Sequence, residues 1–335
     1  MSKYIFIFCI VFIFFQSCSE GSGYRGDYNG NALGTTYSII AISSEEMDLQ
    51  KEVDSVFTVI NHSLSTYIPD SDISRINNGD STVVVDDMFQ EVFKLSKEIS
   101  SATRGFFDPT VGTLVNAWGF GPEHQLTMDS LKVDSLLNFV GFDKVSLNAN
   151  NEIIKTNPNI FIDFNAIAKG YSIDRLAAML DEKGVENYLI EVGGELVAKG
   201  ENTLKGKSWV VGIDDPEMLV ERKLKLLINL NNKALASSGN YRKFRIDEAT
   251  GKKYVHTINP KTGYTQLSNT LAVTILADDC ATADAYATAF MAMDLDEAFK
   301  LVNENKRLDA YIIYSDEDGE TQEFLTKGFK ELVVE

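Results

Sequence analysis

The sequence predicts an α+β fold, with mixed or antiparallel sheets and helices packed on them. Three observations carry that expectation. Long stretches with helical period fill the first half, and short strands joined as hairpins dominate the second. No Gly-x-Gly-x-x-Gly stands between an expected strand and an expected helix, as a doubly wound dinucleotide fold requires. A self-similar repeat of roughly 20–50 residues is also absent, which excludes a solenoid.

Taken in order, Met1 to Cys18 is set aside first. Lys3 gives a basic start, and Tyr4 to Phe15 is an apolar run that falls short of the roughly 20 residues a spanning helix needs. A basic start, a short apolar run and then Ser17-Cys18 read as an export signal. The site resembles a bacterial lipoprotein cleavage site, with Cys18 as the lipidated mature N-terminus. Phe15 stands where Leu is usual three residues before it. Residues 1–18 are therefore expected to be a lipoprotein signal peptide. Residues 19–31, polar and Gly-rich, are expected to be a flexible tether, and 32–335 one folded domain.

Thr35–Ile42 alternates as a strand. Glu45–Leu64 has helical period, with Val53, Val56, Phe57, Ile60 and Leu64 on one face. Asp87–Ala102 repeats the pattern with Phe89, Val92, Phe93, Leu95 and Ile99, and a short helix is expected over 129–141. Ile160–Asp163 reads as a short strand running into a helix over Asn165–Lys183, with Asp163 or Asn165 at its cap. Tyr188–Val192 and Glu195–Ala198 flank Gly193-Gly194 as a hairpin. Further strands are expected at Trp209–Ile213, Leu224–Leu230, Tyr241–Ile246 and Leu271–Leu276, then a small-residue helix over Ala281–Met293.

Charge and cysteines narrow the function. Lys and Arg number 31 against 49 Asp and Glu, a net charge of −18. Such a surface repels phosphate backbones, so a nucleic-acid partner is not expected. An anionic cofactor would need a local cation or a helix N-terminus. With Cys9 in the signal and Cys18 lipidated, Cys280 stands alone, so no internal disulfide supports the fold.

Three places could carry chemistry. Asp284 and Thr288 lie four apart on a helix, which puts a carboxylate and a hydroxyl on one face. Mg²⁺ favours such oxygens but needs more of them. On spacing alone, a helix surface or a Thr bonded to its own turn explains the pair better. Asp163 to Lys169 runs into a helix start, a natural anion site, though a capped helix with one solvated Lys also fits. His256, before Asn259-Pro260, could shuttle a proton, and a structural His fits equally well. Gly206-Lys207-Ser208 lacks the Gly that a phosphate-binding loop requires and reads as a turn. There is no Cys-x-x-Cys and no His-Glu-x-x-His.

In sequence order these pieces resemble the ApbE family of FAD:protein FMN transferases. The blocks are Leu33 to Tyr37, Ser65 to Tyr67, Ser71 to Asn77, Gly105 to Pro122, Asp163 to Tyr171, Glu191 to Glu195, Ala236 to Tyr241, His256 to Pro260, and Ala283 to Thr288. The resemblance implies an ApbE-like, T-fold-like architecture. It also implies that Leu33, Tyr67, Phe106, Phe107, Asp108, Asp163, Lys169 and Ile258 line an FAD site. Asp284 and Thr288 match metal-ligand side chains, with Ala166 giving its carbonyl, and Mg²⁺ would bridge FAD to an acidic protein. His256 and Asp284 are the expected catalytic residues. The implied reaction passes FMN from FAD to a Thr or Ser hydroxyl of a target protein and releases AMP. The alternatives are an FAD pyrophosphatase and a non-catalytic FAD-binding lipoprotein. The implied acceptors are membrane electron-transfer subunits with a Ser/Thr-Gly-Ala-Thr-like segment, reached by a membrane-anchored lipoprotein facing the periplasm. Leu33, Asn165, Asn259 and Ser237 to Asn240 depart from the usual pattern.

Overall fold

The computed structural model describes residues 23–216, 223–239, 244–246, 253–265 and 269–334. The signal segment and Cys18 lie outside them. Nine α-helices occupy the described residues: α1 Gln50–Leu64, α2 Asp72–Asn77, α3 Asp87–Ala102, α4 Gly112–Ala117, α5 Ser130–Leu137, α6 Ala168–Glu182, α7 Cys280–Ala292, α8 Leu295–Glu304 and α9 Lys327–Lys330. The strands are β1 Tyr24–Ala32, β2 Thr35–Ser43, β3 Val145–Leu147, β4 Ile153–Lys155, β5 Asn187–Val192, β6 Glu195–Lys199 and β7 Trp209–Asp214. They continue as β8 Leu224–Leu230, β9 Lys233–Gly239, β10 Phe244–Ile246, β11 Lys253–Val255, β12 Thr270–Ala277, β13 Asp309–Ser315 and β14 Thr321–Leu325. The fold class is α+β, as expected. Among the described residues no helix is long and apolar enough to cross a membrane.

An eight-stranded sheet in the order β1-β2-β5-β6-β9-β12-β13-β14 forms the centre. Every neighbouring pair in it runs antiparallel. The period of two sends alternate residues to opposite faces. Tyr37, Ile39, Tyr188, Ile190, Val197 and Ala234 meet α1 and α6 on one face, and Val273, Ile275, Ala310 and Ile312 continue that face beneath α7. Leu196, Leu235, Leu276 and Tyr311 point the other way, where the β7–β8 hairpin and Phe329 of α9 cover them. Helix α7 is buried nearly all round. Its alanines let the sheet and α6 approach closely, which suits a helix that is packed on nearly every side.

The expected tether is corrected over residues 24–31. They belong to β1, which pairs with β2 in unbroken register from Tyr24↔Ser43 to Ala32↔Thr35. The glycines that read as flexibility are there for space: a Cβ on Gly26 would meet the Tyr28 ring, and one on Gly30 the Tyr37 ring at 2.7 Å. Ile160–Asp163 is also not a strand. It makes one isolated bridge, Val111↔Phe161, while Asn77 bonds both the N–H and the carbonyl of Ile162. Helix starts move inward, to Gln50 and Ser130.

Phe164 enters the core directly before α6. It is fully buried and meets Phe89 edge-on at 5.3 Å between ring centres. Phe164→Ala is expected to cost about 3–5 kcal/mol, because the cavity lies under packed helices that cannot close it. Urea unfolding measures this, and a loss under about 1 kcal/mol would mean that the site collapses.

Candidate active site

Two hairpin turns lie side by side at one end of the sheet. Leu33-Gly34 joins β1 to β2 with φ of +52° and +75°, and Gly193-Gly194 joins β5 to β6 with φ of +64° and +106°. Two positive φ values suit a tight hairpin. For Leu33 they are strained, and its side chain is held against both helix-side cores. Gly193 packs on Thr35 and donates to the Thr36 carbonyl at 3.0 Å. The second turn delivers Glu195, first residue of β6, to the helix side of the sheet.

Facing Glu195 is the start of α6, whose capping differs from expectation. Neither Asp163 nor Asn165 caps it: the helix begins at Ala168 and its preceding residue makes no side-chain cap bond. Asp163 instead turns its carboxylate back to the Asn165 N–H at 2.7 Å. The early helical N–H of Gly170 goes to Asp284 Oδ2 on α7, at 3.1 Å. The favour is returned: Asp174 on α6 accepts the first N–H groups of α7, Cys280 at 2.7 Å and Ala281 at 2.8 Å. Each helix thus caps the other with a buried carboxylate, a pairing that satisfies otherwise orphaned donors.

Around this junction sits a charge cluster. Lys169 forms an ion pair with Glu195 Oε1. Asp284 is 4% exposed and Glu195 5%. Burial pushes the Asp284 carboxyl up, and the Lys169 charge and the Gly170 N–H oppose it. Burial likewise pushes Glu195 up to about 7 against the pull of Lys169. Burial works against the Lys169 ammonium, yet Asp284 and Glu195 together hold it above the ordinary lysine range. Asp174, away from Lys169, is pushed up to about 7 by burial. One turn beyond Asp284, the half-buried Thr288 hydroxyl lies 3.5 Å from Ser238 Oγ at the end of β9.

A second group assembles next to the first. Ile258 packs with Leu114, Trp118 and Val133. Trp118 Nε1 donates to the Gly263 carbonyl at 2.9 Å, and Lys261 Nζ stands 4.0 Å over the Phe106 ring. Asp163 joins this group through its N–H to the Pro109 carbonyl at 2.8 Å. Burial raises the Asp163 carboxyl. Tyr67 is 60% exposed, and its phenol is pushed up by partial burial and then by the Asp163 charge. His256 is half-buried directly after β11. The chain from Asp163 through Ala166 to Lys169 links the two groups.

Asp108, next to Phe107 in sequence, is buried and bonded through both carboxylate oxygens. Its Oδ1 accepts from the Thr110 N–H and hydroxyl at 2.8 and 2.6 Å, and Oδ2 from the Phe142 N–H at 2.9 Å. Burial raises its carboxyl despite these bonds. Asp108→Ala is expected to cost about 1–3 kcal/mol for each buried donor left unpaired. Thermal unfolding at fixed pH checks it, and an unchanged midpoint would show the loop holding without Asp108.

Among the described residues no group of three or more His, Cys, Asp and Glu can hold a metal by itself. What the junction offers is the Asp284 carboxylate, the Thr288 hydroxyl and a cluster with two carboxylates against one ammonium. Glu195 Oε2 is buried with no hydrogen-bond partner. Hard oxygens and an excess negative charge fit a hard divalent cation whose shell is completed by a ligand's phosphate oxygens.

The model of the ApbE family matches residues 33–312. The chain belongs to the ApbE family. Relatives named FAD:protein FMN transferase include that of Haemophilus influenzae, 34% identical over 322 residues, covering 91% of this chain and 90% of the relative. That of Vibrio cholerae is 34% identical over 312 residues, covering 90% and 91%. Among solved structures, the flavin transferase ApbE of Vibrio cholerae superposes with a TM-score of 0.82 at 30% identity, covering 92% of this chain and 99% of that one. An ApbE protein of Thermotoga maritima gives 0.80 at 28% identity, covering 93% and 100%. Gly170, Glu195 and Ser238 lay inside the family-like blocks without an assigned role, and Asp174 lay outside them. Only Glu195 carried a signal, an acid straight after a Gly-Gly hairpin turn.

Proposed function

We propose that the chain is a flavin transferase that cleaves the FAD pyrophosphate and passes FMN to a Thr or Ser hydroxyl of a target protein, releasing AMP. The buried junction of α6 and α7 is the observation that carries this reading: a fixed ammonium, a helix start and an ionisable carboxylate converge there. In the reaction the acceptor oxygen forms a bond to the FMN phosphorus, the pyrophosphate P–O bond breaks, and the hydroxyl proton leaves. Asp284 and Thr288, with the Ala166 carbonyl, would hold Mg²⁺, which supplies charge neutralisation on the pyrophosphate when bound. Lys169 and the start of α6 add positive potential where negative charge gathers. Phe106, Phe107 and Ile258 build the apolar wall for the flavin, while Leu33, Tyr67 and Asp163 border it. His256 takes the proton from the acceptor hydroxyl.

Export and lipidation at Cys18 would place the enzyme on the periplasmic side of a membrane, beside acceptors that carry a Ser/Thr-Gly-Ala-Thr-like segment in electron-transfer complexes. The test mixes the protein with FAD, Mg²⁺ and an acceptor domain and weighs the acceptor intact. One added FMN with AMP released supports transfer. Free FMN with an unmodified acceptor points to a pyrophosphatase, and intact bound FAD to a storage protein.

A further inference from the structure

Glu195 has a place in the site that transfer chemistry alone does not explain. The Gly193-Gly194 turn fixes its register opposite Val192, and strand alternation puts it on the same face as Val197, toward the helices. One oxygen holds the Lys169 ammonium, and the other is buried without a partner. Leaving a buried carboxylate oxygen unpaired is unfavourable. Among the described residues Lys169 makes no ion pair with Asp284, although the Asp284 charge also acts on it.

We propose that Glu195 is a positioning residue: it draws the Lys169 ammonium off Asp284 and so keeps the Asp284 carboxylate open to a divalent cation. This rests on the cation-assisted reading above. The Gly170 N–H already takes Asp284 Oδ2, so the competition concerns Oδ1. Without the Glu195 charge, the Asp284 charge remains to draw the half-buried Lys169 ammonium. A direct Lys169–Asp284 pair then forms and competes with the cation.

The test measures FAD retention by the full chain, read as quenching of flavin fluorescence, while Mg²⁺ is titrated in the absence of acceptor. Glu195→Gln is expected to raise the Mg²⁺ midpoint about tenfold, the scale typical of residues that orient a metal ligand. Glu195→Ala, which likewise removes the charge, is expected to raise the midpoint to within about threefold of Glu195→Gln. Glu195→Asp, which keeps the charge, stays within about threefold of wild type. A purely structural role would favour the isosteric Gln over the shorter Asp, the reverse of this order. An unchanged midpoint in Glu195→Gln overturns the inference. A shift in Glu195→Asp as large as in Glu195→Gln also overturns it, because shape and not charge would then matter. If Glu195→Gln fails to fold, Glu195→Ala against Glu195→Asp makes the same comparison. Should wild-type retention of FAD ignore Mg²⁺ altogether, the cation reading falls and the inference with it. If wild type responds and Glu195→Gln matches it, only the inference falls.

Discussion

Asp284→Ala is expected to lower flavin transfer by about a thousandfold or more while the protein stays folded. Asp284 is the carboxylate shared by both arrangements at the junction, since it accepts the Gly170 N–H and carries the proposed cation. Removing a group that stabilises charge only as the reaction proceeds typically costs about a hundredfold to a thousandfold, and losing the cation adds to that. Stability moves by less, because two opposing effects meet. The Gly170 N–H loses its acceptor, which costs about 1–3 kcal/mol. Against that, the variant relieves a cluster that buries two carboxylates with one ammonium, and a removed buried charge offsets part of the loss. Single-turnover transfer, followed by the mass of the acceptor, is compared with thermal unfolding of the same preparation. Activity within tenfold of wild type would remove Asp284 from the reaction. A collapsed melting curve would make it a residue of the fold instead.

The comparison between sequence and structure turns on which contacts are local. The helices at Asp87–Ala102 and Cys280–Ala292 were legible because apolar spacing or composition reports burial directly. The hairpin at Gly193-Gly194 was legible because two glycines with positive φ leave few other conformations. β1 was not: Gly26 and Gly30 look the same in a linker as under a tyrosine ring, and only the register with β2 distinguishes the two. The start of α6 was misread for a related reason. A local cap was expected from Asp163 or Asn165, and the acceptor that serves Gly170 comes from Asp284, 114 residues away. Asp284 and Thr288 themselves read as an ordinary helix surface until family resemblance matched them to metal ligands, and only the structure brings Asp284 into the Lys169 cluster. Spacing on one helix says which side chains share a face, and it is silent about what the face meets.

Gly170→Ala is expected to destabilise the protein by about 3–5 kcal/mol, although intrinsic helix propensity predicts the opposite. Within a helix, Ala is favoured over Gly by about 1 kcal/mol. Gly170 lies in the first turn of α6 with no positive φ to excuse it. What requires glycine is the crossing with α7. A Cβ there would run into the Cys280 carbonyl and come within 2.8 Å of the Ala281 nitrogen, and both are backbone atoms that cannot rotate away. The helices must therefore separate. Overpacking of this kind costs about 1–3 kcal/mol, and each buried hydrogen bond it breaks adds about 1–3 more. Three such bonds span the crossing: Gly170 to Asp284, and Cys280 and Ala281 to Asp174. The steric and hydrogen-bond losses together exceed the propensity gain several times over. Urea unfolding of Gly170→Ala beside Gly184→Ala makes the contrast, because Gly184 has nothing within 4 Å of a Cβ and a φ of +77° that strains only its own backbone. Gly170→Ala should lose clearly more stability of the two, and cation-dependent FAD retention should fall with it, since Asp284 is displaced along with α7. If Gly170→Ala proves as stable as wild type, the helices do not touch at this point, and the mutual capping of α6 and α7 cannot be what holds Asp284 beside Lys169.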